Sequence, residues 1–437
     1  MNSRMQDFSR HVRSVTLALA LVTVFVATVV ATPSAQAQTF TSLYSFSGKS
    51  DGGQPAASLI LDTSGNLYGT TASGGTGSCT NKGFGTGCGT VFAVNQAGKE
   101  TVIYSFPGTG AQGANPLAYL VRDTSGNLYG TTQNGGSSGC NAPKGCGVVF
   151  RVTKAGKEVV FHSFAEGSDG AFPGGGLIRD SKGNLYGLTG WGGSEVCSEG
   201  GAQGCGTVFK LTPTGTESVL YDFTGAGGDG AIGSGGLIED AAGNLYGTTE
   251  HGGNAGCDNG DGLGCGTVFK LSATGTESVL YAFEGGSDGA NPYLGSLIED
   301  AAGNLYGTTA YGGDLNCNAP AGCGTVFALT KTGKEIVLYT FTGADGAVPL
   351  SALVRDPQGN LYGTTAYGGD LTCNAPNGCG TVFEVTTARK EVLLHIFESS
   401  DGLNPYGGLV RDTKGNLYGT TFGGGTSSAG TVFKLTP

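Results

Sequence analysis

Apolar positions in this chain come in short bursts separated by glycine-rich punctuation. Residues 235–283 show the pattern once. GGLIED (235–240), NLYGTT (244–249), GTVFKL (266–271) and ESVLYAF (277–283) follow one another with turn residues between them. Short runs of β-branched and aromatic residues set between such turns predict strands. No segment carries a convincing 3.6-residue helical period. We label the four strands A to D in that order.

The set then repeats. GNLYG begins at Gly65, Gly126, Gly183, Gly243, Gly303, Gly359 and Gly415, advancing by 61, 57, 60, 60, 56 and 56 residues. Four strands per period of this length is the pattern of a propeller blade. The two ends sharpen the expectation. FTSLYSF (40–46) is a D strand with no blade before it, and GTVFKLTP (430–437) is a C strand with no D after it. An N-terminal D strand that completes the last blade leaves no unpaired edge. The sequence therefore predicts an all-β fold, a closed seven-bladed β-propeller of four-stranded blades in a single domain over residues 38–437. The alternative is an open β-solenoid, which needs caps rather than matched, offset ends.

Composition agrees with turns rather than disorder, because the 84 glycines recur at fixed offsets. Asp62, Asp123, Asp180, Asp240, Asp300, Asp356 and Asp412 each precede an x-x-Gly-Asn turn. Asp and Asn there are expected to bond the turn backbone, in preference to forming a ring of calcium sites. Leu67 and its equivalents, with Phe92, Phe150, Phe209, Phe269, Phe327, Phe383 and Phe433, are expected between blades.

Residues 1–37 read differently. Arg4, Arg10 and Arg13 precede an uncharged apolar run from Val15 to Ala31, and Ala35-Gln36-Ala37 fits a small-x-small cleavage site. This predicts an export signal cut after Ala37, with an uncleaved membrane anchor as the alternative. Its removal takes away three Arg and one Asp, so the net charge moves from −11 to −13. An acidic surface without basic clusters argues against nucleic acid and anionic membranes and suits neutral or cationic ligands.

Export also frames the cysteines. They fall as Cys79/Cys88, Cys140/Cys146, Cys197/Cys205, Cys257/Cys265, Cys317/Cys323 and Cys373/Cys379, each pair within one B-to-C loop. The seventh loop, FGGGTSSAGTVF, lacks both. Local disulfides are expected, since zinc needs four ligands and each loop offers two.

The motifs GNLYGTT..GG, GTVFKLT.TG.E and VLYSF.G..DGA.P, running through residues 40–437, resemble the bacterial tandem-repeat family of choice-of-anchor GloVer-containing proteins. That resemblance implies an exported, propeller-like repeat protein, with no activity and no catalytic residues to carry over. Some members carry a C-terminal sorting tail. This chain reaches Pro437 directly after strand C, and the expectation is a released or periplasmic monomer.

If repeated positions build the fold, function is to be sought where the repeats differ. In a propeller the long D-to-A and B-to-C loops share one face, while the A-to-B and C-to-D turns occupy the other. The residue before Gly-Gly after strand B reads Ser73, Asn134, Trp191, His251, Tyr311, Tyr367 and Gly423 around the ring, and Tyr293 and Tyr406 follow prolines in D-to-A loops. Asn134, Trp191, His251, Tyr293, Tyr311, Tyr367 and Tyr406 are thus candidate ligand contacts. Aromatic rings among amides suit carbohydrate; the plain alternative is that they only cover backbone. No cofactor is expected. His162 and His395 replace a strand-D Tyr and read as packing variants. His251 is then the one loop histidine available for acid–base chemistry, with no nucleophile motif beside it. Three readings stay open: a carbohydrate-binding module, an envelope scaffold that binds a protein partner, and a propeller lyase, lactonase or glycosidase.

Overall fold

The computed structural model describes residues 38–436, except 82–84, 109–110, 137–138, 142–143, 194–196, 198–203, 255 and 258–262, all in long loops. The export signal expected over residues 1–37 lies outside the described residues. The chain forms seven four-stranded antiparallel sheets. In the fourth blade strand A is Ile238–Glu239, B is Leu245–Thr249, C is Thr267–Leu271 and D is Glu277–Ala282. Strand A is shorter than GGLIED implied: only Ile238 and Glu239 pair with strand B, while Gly235 and Gly236 also approach atoms of other blades, among them Gly295 O and Tyr119 Oη. Among the described residues the helical content is one 3₁₀ turn at Gly167–Asp169.

The ring closes as the two ends require. Thr39–Ser45 pairs antiparallel with Thr431–Thr436, from Thr39 opposite Thr436 to Ser45 opposite Thr431. Thr420 Oγ1 donates to the carbonyl of Ala57 at 3.0 Å, joining the seventh blade to the first. Phe46, at the end of the clasp strand, packs edge-on against Phe92 of the first blade at 5.0 Å. The same pair recurs at every junction, as in Phe106–Phe150 and Phe223–Phe269 at 5.1 Å. These fully buried rings are the core between blades.

Every letter of GNLYG has a structural duty. In the first copy Gly65 takes φ +81° in the turn. Asn66 donates from its backbone and its amide to Asp62, and Tyr68 donates its hydroxyl to the same carboxylate at 3.0 Å. Leu67 is buried. Gly69 has ordinary backbone, yet a Cβ there would sit 2.7 Å from Phe92 Cζ and 2.8 Å from Leu59 Cδ2. The repeated aspartates are therefore turn residues, as expected. Burial by itself would raise the Asp62 carboxyl, but the bonds from Asn66, Tyr68 and Ser64 outweigh it and hold it below the usual carboxylate range.

All six cysteine pairs are disulfides, with Cα separations of 5.0–5.7 Å. Both members of each pair lie in the B-to-C loop, as expected, but they are not placed alike. The second cysteine of each pair stands two residues before strand C and is carried into the core. Cys88, Cys146, Cys205, Cys265, Cys323 and Cys379 are all buried. Cys88 packs in one apolar cluster with Val91 and Phe106, Cys205 with Val208 and Phe223, Cys265 with Val268 and Phe283, and Cys323 with Val326 and Phe341. Cys79, Cys197, Cys317 and Cys373 stay partly exposed, while Cys140 and Cys257 are buried like their partners. Each bond therefore anchors a surface loop to the start of strand C, and the inner sulfur is a packing group out of reach of any ligand on the loop face.

The two strand-D histidines keep the bond of the tyrosine they replace. Tyr281 donates to Asp288 at 3.0 Å, while His162 and His395 meet Asp169 and Asp401 at 2.9 and 3.0 Å.

Candidate binding site

The long loops do share one face, and they are stitched together there. The residue before Gly-Gly pairs with the D-to-A loop of its own blade: Trp191 with Ala171, His251 with Ala231, Tyr311 with Ala290, Tyr367 with Ala347. The stitch fixes the backbone, so the side chains at this position project from a rigid ring.

Residues from all seven blades enclose a bowl of about 800 Å³ at the axis. Trp191, His251, Tyr293, Tyr311, Tyr367 and Tyr406 line it, together with Phe172 and Phe422. Asn134 does not join them. Its amide donates to Asn115 Oδ1 at 3.1 Å, and the preceding residue, Gln133, lines the bowl instead. The aromatic arc spans blades three to seven, while Ala56, Leu117 and Gln133 leave the remaining side low.

The sequence reading missed several lining residues. Glu250 is one: it follows Thr-Thr where other blades carry Ala72, Gln133, Gly190, Ala310, Ala366 and Phe422. That ring of positions held the signal, one residue before the ring of candidate contacts. Glu250 Oε1 lies 3.5 Å from His251 Nε2. Phe172, Ile232 and Val348 are others. They hold φ of 53°, 59° and 56° where blades two, five and seven carry Asn115, Asn291 and Asn404. Asn suits this left-handed region and uses its amide there, as Asn404 does on the carbonyl of Ala366 at 2.8 Å. A β-branched residue in that region is strained by about 1–3 kcal/mol. All three of these apolar residues line the bowl.

Two further features shape the cavity. The run from Pro292 to Leu297 is one residue longer than Pro116 to Leu120 or Pro405 to Leu409, and both Tyr293 and Leu294 reach the lining. Below, the channel is plugged. Tyr119 lies across it, its ring against Gly176 and its hydroxyl against Gly236, 3.2 Å from Ser296 Oγ. The space left there is about 30 Å³, room for about one water. Anything reaching the bowl would therefore have to come from the long-loop face.

Three of the lining tyrosines hold their hydroxyl protons more tightly than a free tyrosine. Burial, then the Glu250 charge, pushes Tyr293 up to about 12 and raises Tyr311. Burial and a 3.5 Å contact with the Tyr367 hydroxyl raise Tyr406. The bowl thus offers neutral rings and hydroxyls, one imidazole and one carboxylate. Ser234 lines it too, with its Oγ buried and without a hydrogen-bond partner, so it lacks the base contact of an activated nucleophile.

Solved structures with similar folds are propellers at low identity. A fungal alcohol oxidase of the AA5 family in complex with copper matches at 11% identity and TM-score 0.56, covering 91% of this chain and 76% of that one. The extracellular domain of a hybrid two component system from B. thetaiotaomicron matches at 12% identity and TM-score 0.49; the alignment covers 91% of this chain but 41% of that one. A gluconolactonase from Xanthomonas campestris matches at 13% identity and TM-score 0.41, covering 81% and 89%. At these identities the likeness concerns the fold alone. No curated protein matches the sequence. The profile of the Gloeobacter/Verrucomicrobia repeat matches residues 26–197, 195–375 and 257–437, and with the repeated blades this places the chain in the Gloeobacter/Verrucomicrobia repeat family.

Proposed function

We propose that this is an exported binding protein that takes carbohydrate in the axial bowl without turning it over. The observation that carries the reading is the arc of aromatic side chains around an 800 Å³ cavity closed at its floor. Rings stack on the apolar faces of sugars, and protonated tyrosine hydroxyls donate to and accept from sugar hydroxyls. The cavity falls within the range of small-ligand sites. Six disulfides support an oxidising compartment. A glycosidase needs two placed carboxylates, and among the described residues Glu250 is the one carboxylate in the lining.

The test uses the single tryptophan. Titration with soluble oligosaccharides should shift Trp191 fluorescence saturably. Trp191→Ala, followed by calorimetry, should weaken binding by roughly tenfold or more, the loss of about 1.4 kcal/mol of stacking and burial, and leave melting intact. A flat response across the panel would sink the sugar reading and favour a scaffold that binds a protein partner.

A further inference from the structure

The bowl has a charge character that its sugar reading does not require. Its lining is rich in aromatic rings, and the π face of such a ring attracts cations. Glu250 is accessible enough to meet a ligand, with 22% of its side chain exposed. It stands within electrostatic reach of two of the tyrosines, since its charge raises both Tyr293 and Tyr311. Among the described residues no Lys or Arg lines the cavity. Basic side chains gather instead by the tight-turn tyrosines, as with Arg122 over Tyr68 at 5.5 Å and Arg355 over Tyr306 at 5.8 Å. The one basic neighbour of Glu250 in the lining is His251, whose Nε2 lies 3.5 Å away; an anionic sugar would meet the carboxylate with no Lys or Arg to offset it, and a neutral one would desolvate it without adding a charge partner.

Resting on the carbohydrate reading, we infer that the ligand is an amino sugar with a free ammonium group, seated between the Glu250 carboxylate and the faces of Tyr293 and Tyr311. The same arrangement of rings and one acid recognises other alkylammonium groups. What separates this ligand from them is the sugar body, which the rest of the arc accommodates.

The experiment compares two oligomers of one backbone, a glucosamine tetramer and its fully N-acetylated counterpart, by calorimetry at mildly acidic pH where the amines are charged. The free-amine oligomer should bind roughly tenfold tighter or more, and Glu250→Gln should bring the ratio of the two affinities to about one. The variant is nearly isosteric, and its melting curve reports whether it folds. Equal or tighter binding of the N-acetylated oligomer would overturn the inference and leave the sugar reading standing. So would a preference that survives Glu250→Gln, since it would come from the net acidic surface. Binding of neither oligomer, nor of any sugar in the wider panel, would end both.

Discussion

Two glycines of GNLYG do different work, and a single methyl group separates them. Gly243 takes φ +81° in its turn, where a Cβ would have no atom nearer than 3.6 Å. Gly247 has ordinary backbone, but a Cβ there would lie 2.8 Å from Phe269 Cζ and 2.9 Å from Leu237 Cδ2. Gly243→Ala should cost about 1 kcal/mol for left-handed backbone. Gly247→Ala should cost about 2–3 kcal/mol, because the blade-to-blade ring must shift in a packed core. Denaturant unfolding of the two variants checks the order; the reverse order would mean that the motif is kept for its turn rather than its packing. The bowl shows the opposite selection. There Phe172, Ile232 and Val348 keep left-handed backbone that Asn fills more easily, which is reasonable only if an apolar surface is wanted at that spot.

At the scale of the element, the disulfide loops and the B strands behave as separate devices. Each disulfide closes a loop of under ten residues, such as Cys373–Cys379 with a separation of 6. Replacing both cysteines of that loop by serine should lower stability by about 2 kcal/mol on a chain-entropy estimate. The loss should be smaller than for a core change such as Leu361→Ala, because the B and C strands beneath are held by their own ladder and by the Thr365–Thr381 hydroxyl pair at 2.8 Å. Chemical unfolding with and without reductant measures it. No change on reduction would mean that the loops are already ordered by the Gly-Gly stitch.

The whole ring carries two predictions. Deleting residues 39–47 removes strand D of the seventh blade and the Phe46–Phe92 contact, exposing the edge of strand C. The melting temperature should fall sharply, and equal melting of the truncated and full chains would refute closure by the clasp. The second concerns pH. Glu100, Glu277, Glu335 and Glu391, which open strand D, are pushed up to about 7 by burial and then by Asp51, Asp229, Asp288 and Asp345 from the preceding D-to-A loops. The Oε1 atom of each is buried without a hydrogen-bond partner. At the equivalent junction Gln112 takes the aspartate's place and donates to Glu158 at 3.4 Å. A carboxyl whose folded pKa is raised gives stability that is full below its unfolded value, here 4.5, and lost as pH rises through about 7. The turn aspartates act oppositely: Asp300, held at about 2, loses its contribution as pH falls from 3.8 toward that value. Melting temperature should therefore peak near about pH 4–5 and be lower at about pH 8. Equal values at pH 5 and 8 would show that these glutamates stay charged in the ring.

Much of this protein was legible along the chain, for a physical reason. Blade content, blade number, the offset ends and the cysteine pairs depend on neighbours in sequence: alternation within a strand, turn chemistry between strands, ring closure by count. Repetition states each of them several times over. Burial of the second cysteine of each pair was not legible, because it follows from how neighbouring blades pack over the start of strand C. The bowl likewise depends on distances across the ring, which no local pattern carries. Only the closed fold could turn Gln133 rather than Asn134 toward the axis. Only it could set Glu250 near Tyr293 and Tyr311, which lie 43 and 61 residues further along the chain. Tyr119 plugs the channel because Gly176 and Gly236, in the next two blades, lack the side chains that would exclude it. The repeated residues thus determined what the molecule is built as, and the tertiary structure decided which of the unrepeated ones meet.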